Sequence, residues 1–389
     1  MKAFSKASAL FLTMVLLFTA CSSDDSNIPN QTKDFTITIR ANDGSKTIED
    51  FSNFTYELYN QNSSKKLTGK LNTKGEVELS LEVGNYDIKL EDHEIGFGLK
   101  SNVSINKDQI IIVDIELIKQ TLDGLVISEL FTAGEGAEDE YGEYVELGDQ
   151  YVVIYNNSNQ TKYLDGVSFA ITEHWNKFPY NNTTQEVMAN NEILAALIYT
   201  FPGSGKEYPI APGEEKVFAR SAKDFSEGGK NKNAADLSGV DFEAVLGSND
   251  TDNPKVANVI INGTTHADML GYGVGYAPAF LFKQEGDLKE FLTQNMINIE
   301  SMYGPKSAFK IPVDIIIDGV ETGQVGQMKY KSLLNQVDRG YIAVSDTGTR
   351  EVYTRKVKQE KEGRKVYADT NNSTEDFQIR VGQRNFPAK

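Results

Sequence analysis

Hydrophobic residues recur at every second position through the first third of the chain. Phe35, Ile37 and Ile39 alternate with polar residues, as do Phe54, Tyr56 and Leu58, then Val77, Leu79 and Leu81, then Tyr86, Ile88 and Leu90. Ile111, Val113, Ile115 and Leu117 close the series. A period of two with one apolar face predicts half-buried strands packed as a sandwich over residues 34–119. Turn signals such as Thr73-Lys74-Gly75 and Gly84-Asn85 lie between the runs. After a short junction at 119–124 the pattern changes. Apolar runs at 125–131 and 151–155 flank an acidic insert, a turn cluster follows at 156–160, and a third run covers 164–171. These runs are rich in β-branched and aromatic residues bounded by Asn, Gly, Asp and Ser, which predicts strands. One helix is predicted from an Asp287 cap, with Leu288, Phe291, Leu292, Ile299 and Met302 near one face and Gly304-Pro305 as its stop. Residues 186–199 are a second helix candidate, although their end is β-branched and aromatic. Residues 311–320 and 341–344 return to strand, and 323–331 and 357–370 read as loops or edge strands. The fold class is therefore mainly β: an N-terminal sandwich, then a larger β-rich domain over 125–387 with one or two helices.

The first twenty residues read as a processing signal. Lys2 and Lys6 precede an uncharged, mostly apolar run from Ala7 to Ala20 that is short for a membrane span. Cys21 follows, the single cysteine of the chain, so no internal disulfide is available to it. Phe18-Thr19-Ala20-Cys21 resembles a bacterial lipobox, with Phe18 where the family pattern usually has Leu. That resemblance implies a lipidated Cys21 at the mature N-terminus. Several acyl chains hold a protein on a membrane without a spanning helix, at about 0.8 kcal/mol per buried CH₂. Ser22, Ser23, Asp24 and Asp25 resemble the acidic export signal of Bacteroidetes surface lipoproteins. Residues 21–33 then read as a flexible tether.

Two further resemblances concern the folded body. Residues 68–90, TGKLNTKGEVELSLEVGNYDIKL, are similar to the transthyretin-like or carboxypeptidase-regulatory immunoglobulin-like domains, which serve as spacers or docking modules. Val126-Ile127-Ser128-Glu129, the strand ending Tyr155-Asn156, and Tyr208 to Gly213 resemble the lamin-tail-like immunoglobulin fold. Gln150 and Val153 stand where that family often has Glu, so no role for those carboxylates carries over. Phe201 to Lys206, Asp236-Leu237-Ser238, Asp241-Phe242-Glu243, residues 276–282, Ile317-Asp318-Gly319-Val320, Arg355-Lys356-Val357 and residues 369–377 (DTNNSTEDF) fit one family more closely. They resemble an uncharacterised Bacteroidetes outer-membrane lipoprotein family, a domain of unknown function. That resemblance implies an address and an architecture, with no activity.

The formal net charge is −17, and loss of residues 1–20 makes the chain two charges more negative. This balance opposes nucleic-acid binding. The basic run 350–365 is interrupted by Glu351, Glu360 and Glu362 and is expected to be a solvated edge strand. Gly203-Ser204-Gly205-Lys206 looks like a phosphate loop but lacks the following Ser or Thr, and Tyr208-Pro209 cannot open a helix, so it reads as a turn. His93, His174 and His266 form no ligand motif, and His266 with Asp268 has no elbow serine beside it. A structural Ca²⁺ is possible at Asp250 and Asp252, and Glu138-Asp139-Glu140 offers hard oxygens as well; no other cofactor is expected. Trp175, Phe178 and Tyr180 fall close together in a polar loop. They are the ligand-binding candidates, able to stack on a sugar, with a small core under a long loop as the plainer account. The expected function is a surface-exposed, outer-membrane lipoprotein that binds and does not catalyse, with a TonB-dependent transporter as partner. An adhesin or structural surface protein is one alternative, and a hydrolase another.

Overall fold

The computed structural model describes residues 34–389 except 45, 93–94, 118–123, 140–141, 147, 228–230, 232, 245–251, 263–274 and 302–303. The signal segment, Cys21, the export signal and the tether lie outside the described residues, as do His93, His266, Asp268 and Asp250.

Residues 34–117 form two sheets packed face to face. One has three strands in the order Glu76–Glu82, Asp34–Asn42, Gln109–Asp114, the first pair antiparallel and the second parallel. The other has five antiparallel strands in the order Lys66–Lys70, Thr55–Asn60, Gly84–Asp92, Gly96–Ile105, Glu116–Leu117. Ile37, Ile39, Phe54, Leu58, Ile88, Leu90, Ile111 and Val113 meet between them. Their alternation with exposed neighbours is the period of two seen in the sequence. Leu117 departs from it: it is exposed and lines a cavity of about 220 Å³ with Val313, Ile316 and Val337 of the larger body. Arg339 fastens this seam. Its guanidinium meets Glu91 at 2.8 Å, donates to the Thr370 carbonyl, and lies over the Phe97 ring.

The larger body is built on two seven-stranded sheets. The first runs Ala257–Asn258, Phe242–Glu243, Glu215–Ala219, Tyr151–Asn156, Leu125–Phe131, Glu351–Arg355, Phe377–Val381. The second runs Met296–Ser301, Gly304–Pro312, Glu192–Thr200, Val167–Thr172, Ala279–Lys283, Ile316–Val320, with Ile260–Asn262 also paired to Glu192–Thr200. Ile127, Ile154, Phe169, Tyr199, Phe218, Leu281 and Tyr353 fill the space between them. Both sheets are covered on the outside too. Phe225, Ala235, Leu237 and Phe386 close over the first, and Leu292, Leu333 and Val337 over the second. That is why every residue of Leu125–Phe131, Tyr151–Asn156 and Val167–Thr172 is buried. A strand covered on both faces has no reason to alternate.

The chain is mainly β, with three short helices among the described residues where one or two were expected. The helix predicted from Asp287 is real but stops at Asn295. Asp287 caps it through the Glu290 N–H. Met296–Ser301 then pairs with Gly304–Pro312 as a hairpin, so Ile299 is a strand residue, buried beside Leu194 and Ala308. The second candidate divides into helix Asn182–Ala189 and strand Glu192–Thr200, the β-branched half taking the strand. The acidic insert is a hairpin, Glu135–Asp139 with Gly142–Glu146. The basic run 350–365 is the largest departure. Its first half, Glu351–Arg355, is an interior strand with Val352 and Tyr353 fully buried, and only Val357–Lys361 is a solvated strand.

Candidate functional site

The loop that leaves strand Val167–Thr172 carries the aromatic candidates, and Asn176 pins it. The Asn176 backbone N–H donates to the Tyr276 carbonyl, and its own carbonyl accepts from Lys329 N–H and Tyr330 N–H. Its side-chain amide donates to the Thr322 carbonyl (2.6 Å) and to Glu321 (3.1 Å). Glu321 is fully buried and also accepts the backbone N–H groups of Ser332 and Leu333. Ser332 in turn donates its hydroxyl to the His174 carbonyl. Three separate segments, 173–180, 321–324 and 329–333, are thus tied by one buried polar group. Burial lifts the Glu321 carboxyl to about 7, against the pull of nearby Lys331.

This brace divides the aromatics into two sets. Trp175 and Phe178 stack with ring centroids 6.2 Å apart and planes 21° apart. Tyr276 joins them at 6.1 Å from Trp175, its plane within 26°. The Lys177 ammonium lies 3.8 Å from the Tyr276 centroid, 5.2 Å from Phe178 and 5.4 Å from Trp175. Phe178 is 40 % exposed, and Trp175, Lys177 and Tyr276 are half-buried. Tyr180 belongs to the other set. Its ring packs on His174 (4.8 Å) and edge-on to Tyr330 (5.3 Å), and its hydroxyl donates to the Lys331 carbonyl at 2.6 Å. It lines an open groove of about 570 Å³ with Tyr330, Tyr341, Met188, Met328 and Lys329. The loop therefore presents a ring platform on one flank and a tyrosine-lined groove on the other. Both suit ligands with flat or apolar faces.

Lys177, Tyr330 and Asn176 were not singled out in the sequence, and Tyr276 entered only as the first residue of the 276–282 stretch, with no binding role. Lys177 had a signal, being placed between Trp175 and Phe178. Tyr276 and Tyr330 arrive from distant segments, and no local pattern marks them for ligand contact.

His174 responds to pH. Burial pushes its imidazole down to about 4, and Nε2 finds no hydrogen-bond partner among the described residues. A folded-state value below the unfolded one means the unfolded chain takes up the proton first as pH falls. Stability contributed by neutral His174 is present above about pH 6.5 and is lost as pH drops towards 4. Glu321 works in the opposite sense over part of this window, because its raised value favours the folded state at the acid end. The comparison that isolates His174 is wild type against His174→Gln. Between pH 7 and pH 4.5 the wild type is expected to lose about 2 kcal/mol more in urea denaturation. Equal losses would show that the ring is not held neutral.

Among the described residues the remaining candidates are not brought together into a second site, and Asp250 lies outside them. Asp252 is exposed and accepts from the Asn258 amide at 2.9 Å. Neighbouring Asn253 is folded back by a 2.7 Å bond from its N–H to Glu243. Among the described residues, no group of three or more His, Cys, Asp and Glu is placed to hold a metal ion. The Gly203–Lys206 segment is closed by a carboxylate. Asp165 accepts the N–H groups of Gly205, Glu207 and Tyr208, which a phosphate would otherwise use.

No curated protein matches the sequence. A DUF3823 family protein from Parabacteroides merdae ATCC 43184 is 10 % identical over 46 % of this chain and 96 % of its own, with a TM-score of 0.19. A candidate adhesin from Bacteroides ovatus ATCC 8483 is 8 % identical over 77 % of this chain and 89 % of its own, with a TM-score of 0.22. Scores this low do not bear on the fold. The crystal structure of a DUF4876 family protein from Bacteroides thetaiotaomicron VPI-5482 covers 91 % of this chain and 96 % of its own, at 21 % identity and a TM-score of 0.54. The chain shares the fold of that protein, and its residues 211–384 match the family model described as Protein of unknown function (DUF4876).

Proposed function

We propose that this protein is a lipid-anchored, non-enzymatic binding module of the outer membrane, displayed on the cell surface. Cys21 carries the lipid, Ser22 to Asp25 direct export, and residues 22–33 supply reach. The sandwich of residues 34–117 is an immunoglobulin-like spacer. The larger body, with a lamin-tail-like core, holds the recognition loop. A TonB-dependent transporter is the proposed partner, the captured ligand being handed on to it.

The observation that carries this reading is the loop 173–180. Its rings sit half-exposed on loops, but the backbone beneath them is locked by Asn176 and Glu321. Rings held rigid before a ligand arrives lose little conformational freedom on binding. The arrangement offers contact area and orientation, which suits recognition.

The test uses the acylated full chain, solubilised in detergent, on an array of neutral, acidic and amino glycans. Trp175→Ala and Tyr330→Ala are expected to weaken the ligands that bind wild type by about tenfold or more, the size typical of a stacked aromatic anchor. Their melting temperatures report folding separately. Unchanged binding in both variants would remove this loop from recognition. Cys21→Ser is expected to move the protein from the membrane pellet to the soluble fraction. A protein that stays in the pellet without acylation would overturn the anchor.

A further inference from the structure

We propose that Trp175, Phe178 and Tyr276 form a shallow, open aromatic cage for an alkylated ammonium group, and that Lys177 is its internal occupant. The inference rests on the binding role proposed for this loop and names the chemistry of its ligand.

The geometry points to a cage in three ways. First, the rings are not strung in a row. The Lys177 ammonium lies near enough to both Phe178 and Tyr276 that their centroids are closer together than a straight row through Trp175 would place them. The three centroids therefore make a triangle with the cation over it. Second, ring faces carry negative quadrupole density, and three near-parallel rings side by side give one cation an extended surface of favourable sign. A sugar face needs one flat ring, whereas a cation gains from each additional ring. Third, the surroundings add attraction of the same sign. The Tyr276 hydroxyl hydrogen-bonds Gln324, and Gln324 reaches the Asp346 carboxylate. Asp346 thus stands behind the cage, on a chain with 56 acidic residues against 39 basic.

Among the described residues the Lys177 ammonium rests on these rings without an ion-pair partner, and its side chain is half-exposed, so it can swing into water. A primary ammonium is strongly hydrated and regains that hydration on leaving. A quaternary or other alkylated ammonium is weakly hydrated and loses less on entering. Exchange therefore favours an alkylated cation over the lysine. Lys177 keeps the rings from being bare and apolar while no ligand is present.

Trp175 is the only tryptophan in the chain, so emission excited beyond the tyrosine absorption band reports on this cage alone. The experiment titrates the full chain with choline chloride, with sodium chloride matching ionic strength. A parallel series uses 3,3-dimethyl-1-butanol, the neutral isostere of choline. Wild type is expected to show a saturable change in Trp175 emission with choline and none with the isostere. Lys177→Ala, which removes the competitor, is expected to reach half-saturation at about fivefold lower choline, a factor corresponding to about 1 kcal/mol. An equal response to the isostere would overturn the proposal, because apolar packing would then explain it. No saturable response to choline in either protein, with near-ultraviolet circular dichroism unchanged, would also overturn it. A glycan from the array that shifts Trp175 emission while choline does not would sink the cage and leave the binding module standing.

Discussion

Replacing Arg355 with alanine is expected to cost about 3–5 kcal/mol of stability, the range for removing one partner of a buried ion pair. Arg355 is 2 % exposed and is among the largest fully buried side chains. It meets Asp318 at 2.6 Å, Asp369 at 3.2 Å and Asp376 at 3.8 Å, and its Nε donates to the Ile127 carbonyl. Its guanidinium also lies over the Phe377 ring. Truncation leaves three carboxylates in the interior with no cation among them. Burial already lifts Asp318 to about 7 even with Arg355 beside it, and loss of the cation raises it further. A carboxyl whose folded-state value is raised gives most stability at low pH and loses it as pH climbs through the window from about 4 to 7. The variant should therefore be least damaged near pH 5 and most damaged near pH 8, read as urea denaturation at both values. The double variant Arg355→Met with Asp318→Asn should recover part of the loss, since it removes charge from both sides. A single variant that unfolds like wild type at pH 8 would show that the cluster is dispensable.

Asp165→Ala is expected to cost about 3 kcal/mol, because one side chain satisfies three backbone donors. The donors are Gly205 (3.0 Å), Glu207 (2.8 Å) and Tyr208 (2.9 Å). Gly203 is required by the same contact. Its φ is +110°, and a Cβ there would come within 2.2 Å of the Asp165 carboxylate. Burial alone would raise the Asp165 value, but the three N–H bonds outweigh it and hold the carboxyl below its ordinary range. A depressed value means the contribution is complete above about pH 4 and is lost as pH falls through the folded-state value. Amide exchange at Gly205, Glu207 and Tyr208 should rise in the variant, while amides of the Tyr151–Asn156 strand change only with global stability. Unaltered protection at those three amides would show that the loop holds its own shape. Asp165→Asn should recover part of the stability, because one oxygen still accepts but the amide nitrogen faces a donor.

The motifs by which residues 317–320, 355–357 and 369–377 were singled out meet at Arg355. Asp318 comes from the first, Arg355 from the second, and Asp369 and Asp376 from the third. Ile127 of the Val126-Ile127-Ser128-Glu129 strand bonds both Arg355 and Asp318. Glu129 of the same strand holds Arg380 and Arg384 near the C-terminus. These residues fasten the first large sheet from within, which is a structural role. The proposed recognition surface lies elsewhere, on a loop whose partners were invisible one segment at a time.

What the sequence determined by itself is local: a mainly β chain, the strands of the first sandwich with their inward faces, the capped helix at Asp287, and the turn at Gly203. Each rests on a period or a turn residue that acts over a few positions, so it can be read before the chain folds. Tertiary structure decided the rest. It put Arg355 inside a charged run, because three distant carboxylates were there to receive it. It turned the far end of the predicted helix into a hairpin, because residues 304–312 offered an edge to pair with. It brought Tyr276 to Trp175 and set Lys177 over both. Strand pairing and ring contact join residues a hundred positions apart, and a pattern that repeats every two residues carries no information over that distance.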